Sequence, residues 1–335
     1  MINIVTYRGY RTAIQYGAET VYGTGTPTIA IEGKVQTLTV NKVNNLIRTT
    51  GLGEGRNETF VGFGNFDVTW SMEYLPSSFE FLKFAFSTVQ GSGNTTAPFF
   101  LSEEDYTGYT TTLCPSFSME MASLGTTNEV ETMSGGVINT IGFALNIGEP
   151  LKLSLEGYGK TVLNGVTPTA FTANSTKPWI FTQGTFKWNG TAVARITSAT
   201  INVNNNFDVE VGRELGSRFP VAAEFGLRKY DWVLTVKMTS AIATTLRDAF
   251  FGQANSPHLG ITTAEPTLYA ILFELSEGAA STNRNAIISL SNCAINDISK
   301  PINIGDNIIE LTINGTAKSA TTYTVNKFIR WYTTT

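Results

Sequence analysis

The sequence is poor in the side chains that carry most protein chemistry. It contains two cysteines, Cys114 and Cys293, and one histidine, His258, among 335 residues. Zinc sites and disulfide frameworks need clustered cysteines or histidines, so we expect buried thiols and no such site. A Ser/His/Asp triad could use His258 alone, and no Gly-x-Ser-x-Gly elbow accompanies it. We therefore predict that the chain is not an enzyme and has no catalytic residue, cofactor or metal.

Charge is also scarce, at 15% of residues against about 25% in an average domain. Because the cores of protein interfaces are depleted of charge, this scarcity predicts a surface largely covered by other protein. A soluble β-protein solvated by Thr, Ser and Asn is the alternative. The net charge of −4 argues against binding duplex DNA, although nucleic acid could slide past such a surface.

Long hydrophobic runs and a secretion signal are missing as well. No apolar run approaches the roughly 20 residues of a membrane span, so we expect no membrane partner. The first residues lack a basic region followed by an apolar core, and we therefore expect the chain to fold in a cytoplasm.

What the chain does contain is a repeat of itself. Residues 36–41 (QTLTVN) reappear as residues 197–202 (TSATIN), 161 positions later. Residues 137–149 reappear as residues 294–306, 157 positions later. Solenoid repeats are about 20–50 residues long, so a period of this length indicates two whole folded units in tandem. We predict one domain at 1–165 and a second copy of it at 166–335.

Alternating apolar residues predict strands in both copies. A shift of 164 relates Val68, Trp70, Met72 and Tyr74 to Trp232, Leu234, Val236 and Met238. A shift of 154 relates Phe117, Met119 and Met121 to Ile271, Phe273 and Leu275. Helical spacing predicts one short helix per copy, at 77–86 with Ser77 or Ser78 as N-cap, and at 243–251. The predicted fold class is all-β with short helices: two tandem β-sandwich domains, each with one flanking helix and a long arm loop.

The arm loop is a long glycine-bearing segment that follows the first repeated strand, at 46–65 and again at 207–226. About twenty residues exceed an ordinary connection, and both segments keep apolar residues. We predict two extended arms that contact a neighbouring molecule; a flexible surface loop is the alternative. The arm residues are Gly51, Gly53, Gly55, Phe60, Val61 and Phe63 in the first copy, and Gly212, Gly216, Phe219, Val221 and Phe225 in the second.

Two short motifs could carry chemistry, and we interpret both otherwise. Residues 51–56 (GLGEGR) resemble a phosphate-binding loop but lack the third glycine at the required spacing and a following helix. The acidic run Glu103, Glu104 and Asp105 could supply a carboxylate pair, but the second copy has no clear equivalent. We interpret the first motif as part of a flexible arm and the second as a solvated loop.

The order of these elements resembles that of the major tail tube proteins of tailed bacterial or archaeal viruses. The likeness lies in the strand, arm, strand and helix at 36–41, 46–65, 66–74 and 77–86, and in their repetition at 197–202, 207–226, 230–238 and 243–251. A strand pair at 139–149 and 296–306 completes each copy. The likeness is one of pattern and order, and it covers nearly the whole chain.

This resemblance implies a structural virion protein. In such tails six tube domains form a ring whose inner strands join into one continuous sheet, and rings stack through the arms into a hollow tail tube. A chain with two domains then implies a ring of three chains with pseudo-sixfold symmetry. The implied partners are other copies of the chain, the tape measure protein and viral DNA in the lumen, the tail terminator, and baseplate or tip proteins. Whether a sheath surrounds the tube is left open, and assembly is expected in the host cytoplasm.

The resemblance also implies which side chains line the lumen. The candidates are the polar residues of the two Trp-bearing strands: Asp67, Thr69, Ser71 and Glu73 in the first copy, and Asp231, Thr235 and Lys237 in the second. Lys237, at the position matching Glu73 (73 + 164), departs from a uniformly negative lining.

Two alternatives to a tube protein remain open at this point. Trp179 and Trp188 could stack on sugars in a carbohydrate-binding or other β-sandwich binding module. A tail component of the same fold could instead form a single ring without polymerising.

Overall fold

The structure is a computed structural model that describes residues 9–51, 58, 60–86, 88–90, 99–102, 115–125, 128–165, 167–193, 195–222, 226–239, 250, 268–277, 284–301, 308–318 and 327–332. Several predicted features lie outside these residues: Cys114, His258, Gly53, Gly55, Phe225, the acidic run 103–105, and all of the second predicted helix except Phe250. Within the described residues, no helix is both long enough and apolar enough to cross a membrane.

Antiparallel β-strands make up most of the described chain, which confirms the predicted all-β class. The first half contains β1 (Thr12–Ala18), β2 (Ile29–Ala30), β3 (Gly33–Thr49), β4 (Phe60–Pro76), β5 (Thr88–Gln90), β6 (Phe99–Ser102), β7 (Phe117–Ser123), β8 (Glu129–Asn146), β9 (Lys152–Gly159) and β10 (Thr161–Gly165). The second half contains β11 (Gly184–Trp188), β12 (Thr191–Ala192), β13 (Ile196–Asn204), β14 (Lys229–Lys237), β15 (Tyr269–Ser276), β16 (Asn285–Ser299), β17 (Glu310–Ala317) and β18 (Lys327–Tyr332). Short 3-10 helices occupy Gly9–Arg11, Glu80–Phe84 and Phe181–Gln183.

One antiparallel layer, which we call the wall sheet, runs through both halves of the chain. Its strand order is β3–β4–β9–β8 in the first half and β13–β14–β17–β16 in the second, and β8 pairs with β13 where the halves meet. The first part of β8 also pairs with β7 and β10, and the first part of β16 pairs with β15 and β18. These strands form a second layer in each half, which β1 extends beside β7 in the first half and β11 extends beside β15 in the second. The hydrophobic core lies between the wall sheet and the second layers.

The two halves of the chain pair their strands in the same way. β1, β3, β4, β7, β8, β9 and β10 take the same partners in the first half as β11, β13, β14, β15, β16, β17 and β18 take in the second. The register shift at Gln36 recurs at Thr197, and the shift at Asn139 recurs at Asn296. Such a bulge leaves one residue unpaired and bends its strand. These positions lie 161 (197 − 36) and 157 (296 − 139) residues apart, and both values coincide with offsets seen in the sequence.

Two other offsets taken from the alternating pattern are wrong by two residues. Trp70 lies opposite Gly157 and Trp232 lies opposite Gly315, so β4 and β14 correspond at 162 (232 − 70) rather than 164. Met119 lies opposite Met133 and Ile271 lies opposite Leu290, so β7 and β15 correspond at an offset of 152 (271 − 119) rather than 154. A period-two pattern matches itself again after a shift of two, so alternation alone could not separate these registers.

The predicted core faces of β4 and β14 are confirmed. The buried residues are Val68, Trp70, Met72, Tyr74, Trp232, Leu234 and Val236, whereas Met238 is partly buried at the margin of the core. Because side chains of a strand alternate between its two faces, the intervening polar residues must all project from the other side of the wall sheet.

The first predicted helix is shorter than expected and different in kind. It is a five-residue 3-10 helix, Glu80–Phe84, without a side-chain cap. Ser78 Oγ accepts a hydrogen bond from the Glu80 amide (3.3 Å), while Ser77 is buried. The apolar side chains of the segment are buried on all sides: Phe79, Phe81, Leu82, Phe84 and Phe86. Such burial does not fit the single apolar stripe of an amphipathic α-helix.

Candidate assembly surfaces

The wall sheet has one buried face and one polar face. A row of directly opposed residues crosses the polar face: Thr37, Glu73, Ser154, Gly142, Asn202, Asp231 and Thr316. Each is polar or glycine, whereas Met72 and Trp232, their neighbours in sequence, are 1% exposed. The polar face therefore continues without interruption from the first half into the second.

The side chains predicted to line a lumen are all found on this polar face. Asp67, Thr69, Ser71 and Glu73 alternate with the buried residues of β4, and Asp231, Thr235 and Lys237 alternate with those of β14. The structure thus brings two sets of residues, far apart in sequence, onto one surface.

Several charges on the polar face stand beside charges of the opposite sign. Lys152 Nζ lies 2.7 Å from Glu73 Oε2, and Lys237 lies directly opposite Glu310. The predicted mismatch between Lys237 and Glu73 disappears with the corrected offset, because Thr235 (73 + 162) is the residue that corresponds to Glu73. Local pairing of this kind weakens the electrostatic field of the polar face.

The first predicted arm is the outer end of the β3–β4 hairpin. Its strands pair as far as Thr49 and Phe60, and Gly51 lies beyond the last pair. The exposed apolar side chains of this arm are Leu46, Ile47, Phe60, Val61 and Phe63, of which Phe63 is 68% exposed. A cluster of exposed apolar side chains typically marks a surface that another protein covers.

The described part of the second predicted arm, residues 207–222 and 226, is not extended, which corrects the expectation of two similar arms. It folds back on the base of the first arm, where Arg218 makes the central contacts. Arg218 Nε donates to the Gly64 carbonyl (3.0 Å), and its guanidinium lies 4.6 Å from the centroid of the Phe63 ring. The Phe66 amide donates to the Arg218 carbonyl (2.9 Å), and Phe219 meets the Phe66 ring edge to face at 5.6 Å.

Tight turns keep this second segment close to the sheet. A Cβ at the buried Gly212 would lie 2.0 Å from a backbone carbonyl, and the carbonyl of Gly212 accepts a hydrogen bond from the Val221 amide (2.8 Å). Gly216 has a φ of 91°, a left-handed conformation that glycine adopts without strain. Arg213 forms an ion pair with Asp67 of β4, which fixes the turns to the wall sheet.

The pairing of β8 with β13, which we call the junction, joins the two halves directly. Residues 140–146 pair antiparallel with residues 198–204. Backbone hydrogen bonds extend the junction at both ends, from the Ile147 amide to the Thr197 carbonyl (3.1 Å) and from the Asn205 amide to the Asn139 carbonyl (2.8 Å). One half of the molecule therefore binds the other by continuing its sheet.

A buried asparagine that the sequence analysis missed fixes one end of the junction. Asn205 is 1% exposed, and its Nδ2 donates to the carbonyls of Ile138 (2.9 Å) and Ala85 (3.2 Å). Arg228 Nε donates to Asn205 Oδ1 at 2.6 Å. The available signal was the recurrence of asparagine at Asn44, 161 positions earlier (205 − 161).

Two edges of the wall sheet have no strand beside them in the part of the chain that the structure describes. β3 pairs with β4 alone, and the last part of β16, from Ala294, pairs with β17 alone. Apolar side chains along both edges are only partly buried: Leu38 and Val40 in β3, and Ile295 and Ile298 in β16. Unpaired backbone groups on such edges favour pairing with another chain.

The two tryptophans proposed as sugar platforms are in the core. Trp179 and Trp188 are 1% and 6% exposed. The Arg284 guanidinium lies 4.2 Å from the centroid of the Trp179 ring, and Trp188 packs edge to face on Trp232 at 6.0 Å. Because stacking on a sugar needs an exposed ring face, neither residue can serve as the sugar platform of the alternative binding module.

The carboxyl group of Glu32 lies near the 3-10 helix Glu80–Phe84. Glu32 accepts a hydrogen bond from the Tyr16 hydroxyl, and its Oε2 atom is buried without a hydrogen-bond partner among the described atoms. Burial raises the pKa of Glu32 to about 7, although the hydrogen bond from Tyr16 acts in the opposite direction. Glu32 is half-buried beside the core residue Tyr16, and its protonation therefore affects stability.

Cys293 is a buried free thiol, as the sequence predicted. Burial raises its pKa to about 12. Because the thiolate is the nucleophile and the metal ligand, a thiol held in its neutral form contributes packing and no chemistry.

Comparison with known proteins agrees with the resemblance seen in the sequence. Among curated proteins nothing matches the chain. A family model described as phage tail tube protein matches residues 9–317 of the 335, and so includes both halves of the wall sheet. The chain therefore belongs to the phage tail tube protein family and is a structural component of the virion tail.

Proposed function

We propose that the chain polymerises as stacked rings into the hollow tail tube through which viral DNA passes. The observation that carries this proposal is the wall sheet, which has one buried face and one polar face and whose two edges are unpaired within the described part of the chain. Further copies of the chain can continue such a sheet at both edges, and closure into a ring leaves no edge exposed.

We further propose that each chain supplies two copies of one tube domain, at 1–165 and 166–335. The shared strand pairing and the recurring bulges support this duplication. The junction is a head-to-tail contact between the copies, and repetition of such a contact gives a closed ring when the rotation closes. Three chains with pseudo-sixfold symmetry are the ring that we propose.

The polar face is proposed to line the lumen. Thr69, Ser71 and Asp231 are exposed on it, and Lys152 and Lys237 stand beside carboxylates. Strong DNA binding requires positive charges that are free to replace the counterions of the phosphates. The tape measure protein, and viral DNA after it, would therefore occupy the lumen without sequence-specific binding.

The exposed apolar side chains of the first arm are proposed to contact the next ring of the stack. Phe60 and Val61 are each 55% exposed in the single chain. Complete burial of a side chain of this size contributes about 1.5–3 kcal/mol, so several arms per ring would stabilise stacking. At the ends of the tube the same surfaces would bind the tail terminator and the baseplate or tip proteins. Assembly is proposed to take place in the host cytoplasm.

Electron microscopy of the purified protein tests this function. We expect tubes of constant width whose cross-section shows sixfold-like rings with a mass of three chains. Monodisperse monomers at every salt concentration would contradict the proposal. Single rings that never stack would instead support a non-polymerising tail component of the same fold.

A further inference from the structure

We propose that β16 of one chain pairs with β3 of the next chain in the register of the junction. This inference rests on the proposed function, since it requires that the chain meets other copies of itself edge to edge. We call the edges of β3 and of the last part of β16 the free edges, because no other strand lies beside them among the described residues. The proposal commits to one occupant for both free edges, a second copy of this chain, and it assigns the residues that lie opposite one another.

The first step is the correspondence between free and occupied edges. β3 takes the place in the first half that β13 takes in the second, and β8 takes the place that β16 takes in the second. The two strands of the junction are thus the structural counterparts of the two free edges. An edge contact that forms between the halves can form again between chains.

Burial along these strands shows what the free edges lack. At the junction, Ile141 and Ile201 are 1% and 3% exposed. Their counterparts at the free edges, Ile298 (141 + 157) and Val40 (201 − 161), are only partly buried. The same positions of the fold are covered where a neighbouring strand is present and incompletely covered where it is not. A second copy supplies the missing cover by continuing an interface that already exists within the chain.

The register follows from the two offsets. The junction pair Asn202–Gly142 becomes Asn41 opposite Ser299, since 202 − 161 is 41 and 142 + 157 is 299. The other pairs assigned in this way are Val43 with Asp297, Lys42 with Ile298, Val40 with Lys300, and Thr39 with Pro301.

The backbone groups agree with this register. The Ile147 amide donates to Thr197 of β13, and the Asn139 carbonyl accepts from Asn205, the residue after β13. The odd-numbered residues of β8 between them therefore also direct their backbone groups to β13. Adding 157 makes Ile298 and Lys300 the residues of β16 that direct their backbone groups to the next chain. Pro301 has no N–H to donate, and its backbone faces β17 rather than the next chain in this register. The missing donor therefore does not weaken the proposed pairing.

A disulfide trap tests the register. In a chain that carries Cys114→Ser and Cys293→Ala, we combine Asn41→Cys with Ser299→Cys. A non-hydrogen-bonded antiparallel pair has Cα atoms about 4.5 Å apart, within the range of about 4.4–6.8 Å that disulfides span. Oxidised assemblies should give linked dimers and trimers on a non-reducing gel. Each single variant should give none, and a mixture of the two single variants should stop at dimers.

The matched control combines Val43→Cys with Ser299→Cys. Both cysteines then project from the same face but lie diagonally, about 7–8 Å apart, and the linked bands should be lost. Linkage of the control pair in place of the proposed pair would overturn the register. Tubes in which neither pair links would overturn the pairing of β3 with β16 and leave the proposed tube function standing.

Failure of the parent protein to form rings or tubes would contradict the proposed function itself. If the parent assembles and the cysteine variants do not, hydrogen exchange in tubes of the unaltered protein tests the pairing of β3 with β16 instead. The amides of Val40, Lys42 and Ile298 should then exchange as slowly as those of the junction. Fast exchange at these amides would overturn the pairing.

Discussion

At the scale of single residues, two glycines of the wall sheet are fixed by tryptophans on neighbouring strands. A Cβ at Gly157 would lie 1.9 Å from the Val137 carbonyl and 2.9 Å from Trp70 Nε1. A Cβ at Gly315 would lie 2.1 Å from Trp232 Cζ2. Each indole lies over the backbone of the next strand, in space that any other residue would fill with its side chain. These contacts also fix the strand register that the alternating pattern leaves ambiguous.

Replacement of Gly315 by alanine should therefore destabilise the chain. Overpacking of a filled core typically costs about 1–3 kcal/mol, and we expect Gly315→Ala to lower the free energy of unfolding by that amount. Urea unfolding followed by tryptophan fluorescence measures the change. The control is Gly165→Ala, where the nearest atom to a new Cβ is 3.9 Å away. Equal losses in the two variants would contradict the role of the indole contact.

Glu32 should make stability depend on pH. Its folded pKa of about 7 exceeds the ordinary value of 4.5, so the folded state binds the proton more tightly than the unfolded state. The resulting stabilisation is complete below the unfolded pKa and is lost as the pH rises through the folded pKa. Glu32→Gln should flatten the decline in melting temperature between about pH 5 and pH 8, whereas Glu129→Gln, at an exposed position, should not. An unchanged pH profile in Glu32→Gln would contradict this assignment.

The residues of the core were largely predictable, and those of the junction were not. Period two directly encodes which side chains of β4 share a face, so Trp70 and Met72 could be placed in the core from sequence. Asn205 has carbonyl partners that lie 67 and 120 residues away in the chain. Contacts at such separations do not change the local sequence pattern, so the burial of this amide could be seen only in the folded structure.

At the scale of elements, the two predicted arms differ although their sequences suggested likeness. Similar length, glycine content and apolar residues predicted two extended arms. The second segment folds back because Arg218 binds the base of the first arm at Gly64 and Arg213 binds Asp67 of the wall sheet. Such tertiary contacts override local composition. The first arm therefore projects beyond the part of the hairpin that the second segment holds.

The first arm should be needed for stacking and not for folding. Val61 is 55% exposed, so Val61→Asp should leave the melting temperature of the chain nearly unchanged. In an apolar contact between rings the added charge would be costly to bury, and we expect short tubes or free rings in electron micrographs. The control is Leu163→Asp in β10, at a position that is 65% exposed. Full-length tubes from Val61→Asp would contradict a role of this arm in stacking.

At the scale of the whole molecule, the sequence predicted the all-β class and two of the offsets between the halves. The offsets 161 and 157 coincide with recurring bulges, at Gln36 and Thr197 and at Asn139 and Asn296, because a bulge is tied to its local sequence. The pairing of β8 with β13 was beyond sequence analysis. A strand edge forms hydrogen bonds through backbone groups that every residue carries. The side chains of β8 therefore do not indicate which strand pairs with it.

In the proposed tube, charge on the polar face should control how freely DNA passes. Thr69 and Asp231 occupy corresponding positions (69 + 162) and are exposed. Tubes that carry Thr69→Lys with Asp231→Lys should retain a short DNA duplex in co-sedimentation at about 50 mM salt and release it near 200 mM, since phosphate binding weakens steeply with salt. Leu163→Lys adds positive charge on another layer and should not retain DNA. Equal retention by both variants would contradict the placement of the polar face in the lumen.

The inequality of the two arms has a consequence for the symmetry of the proposed particle. A ring of three such chains carries a projecting hairpin at every second domain and a tucked segment at the domains between. Its rim then repeats in thirds of a turn and not in sixths. Successive rings can lock together in only half as many orientations as rings of identical domains, so the chain would specify the helical pitch of the tail more narrowly than its sheet alone.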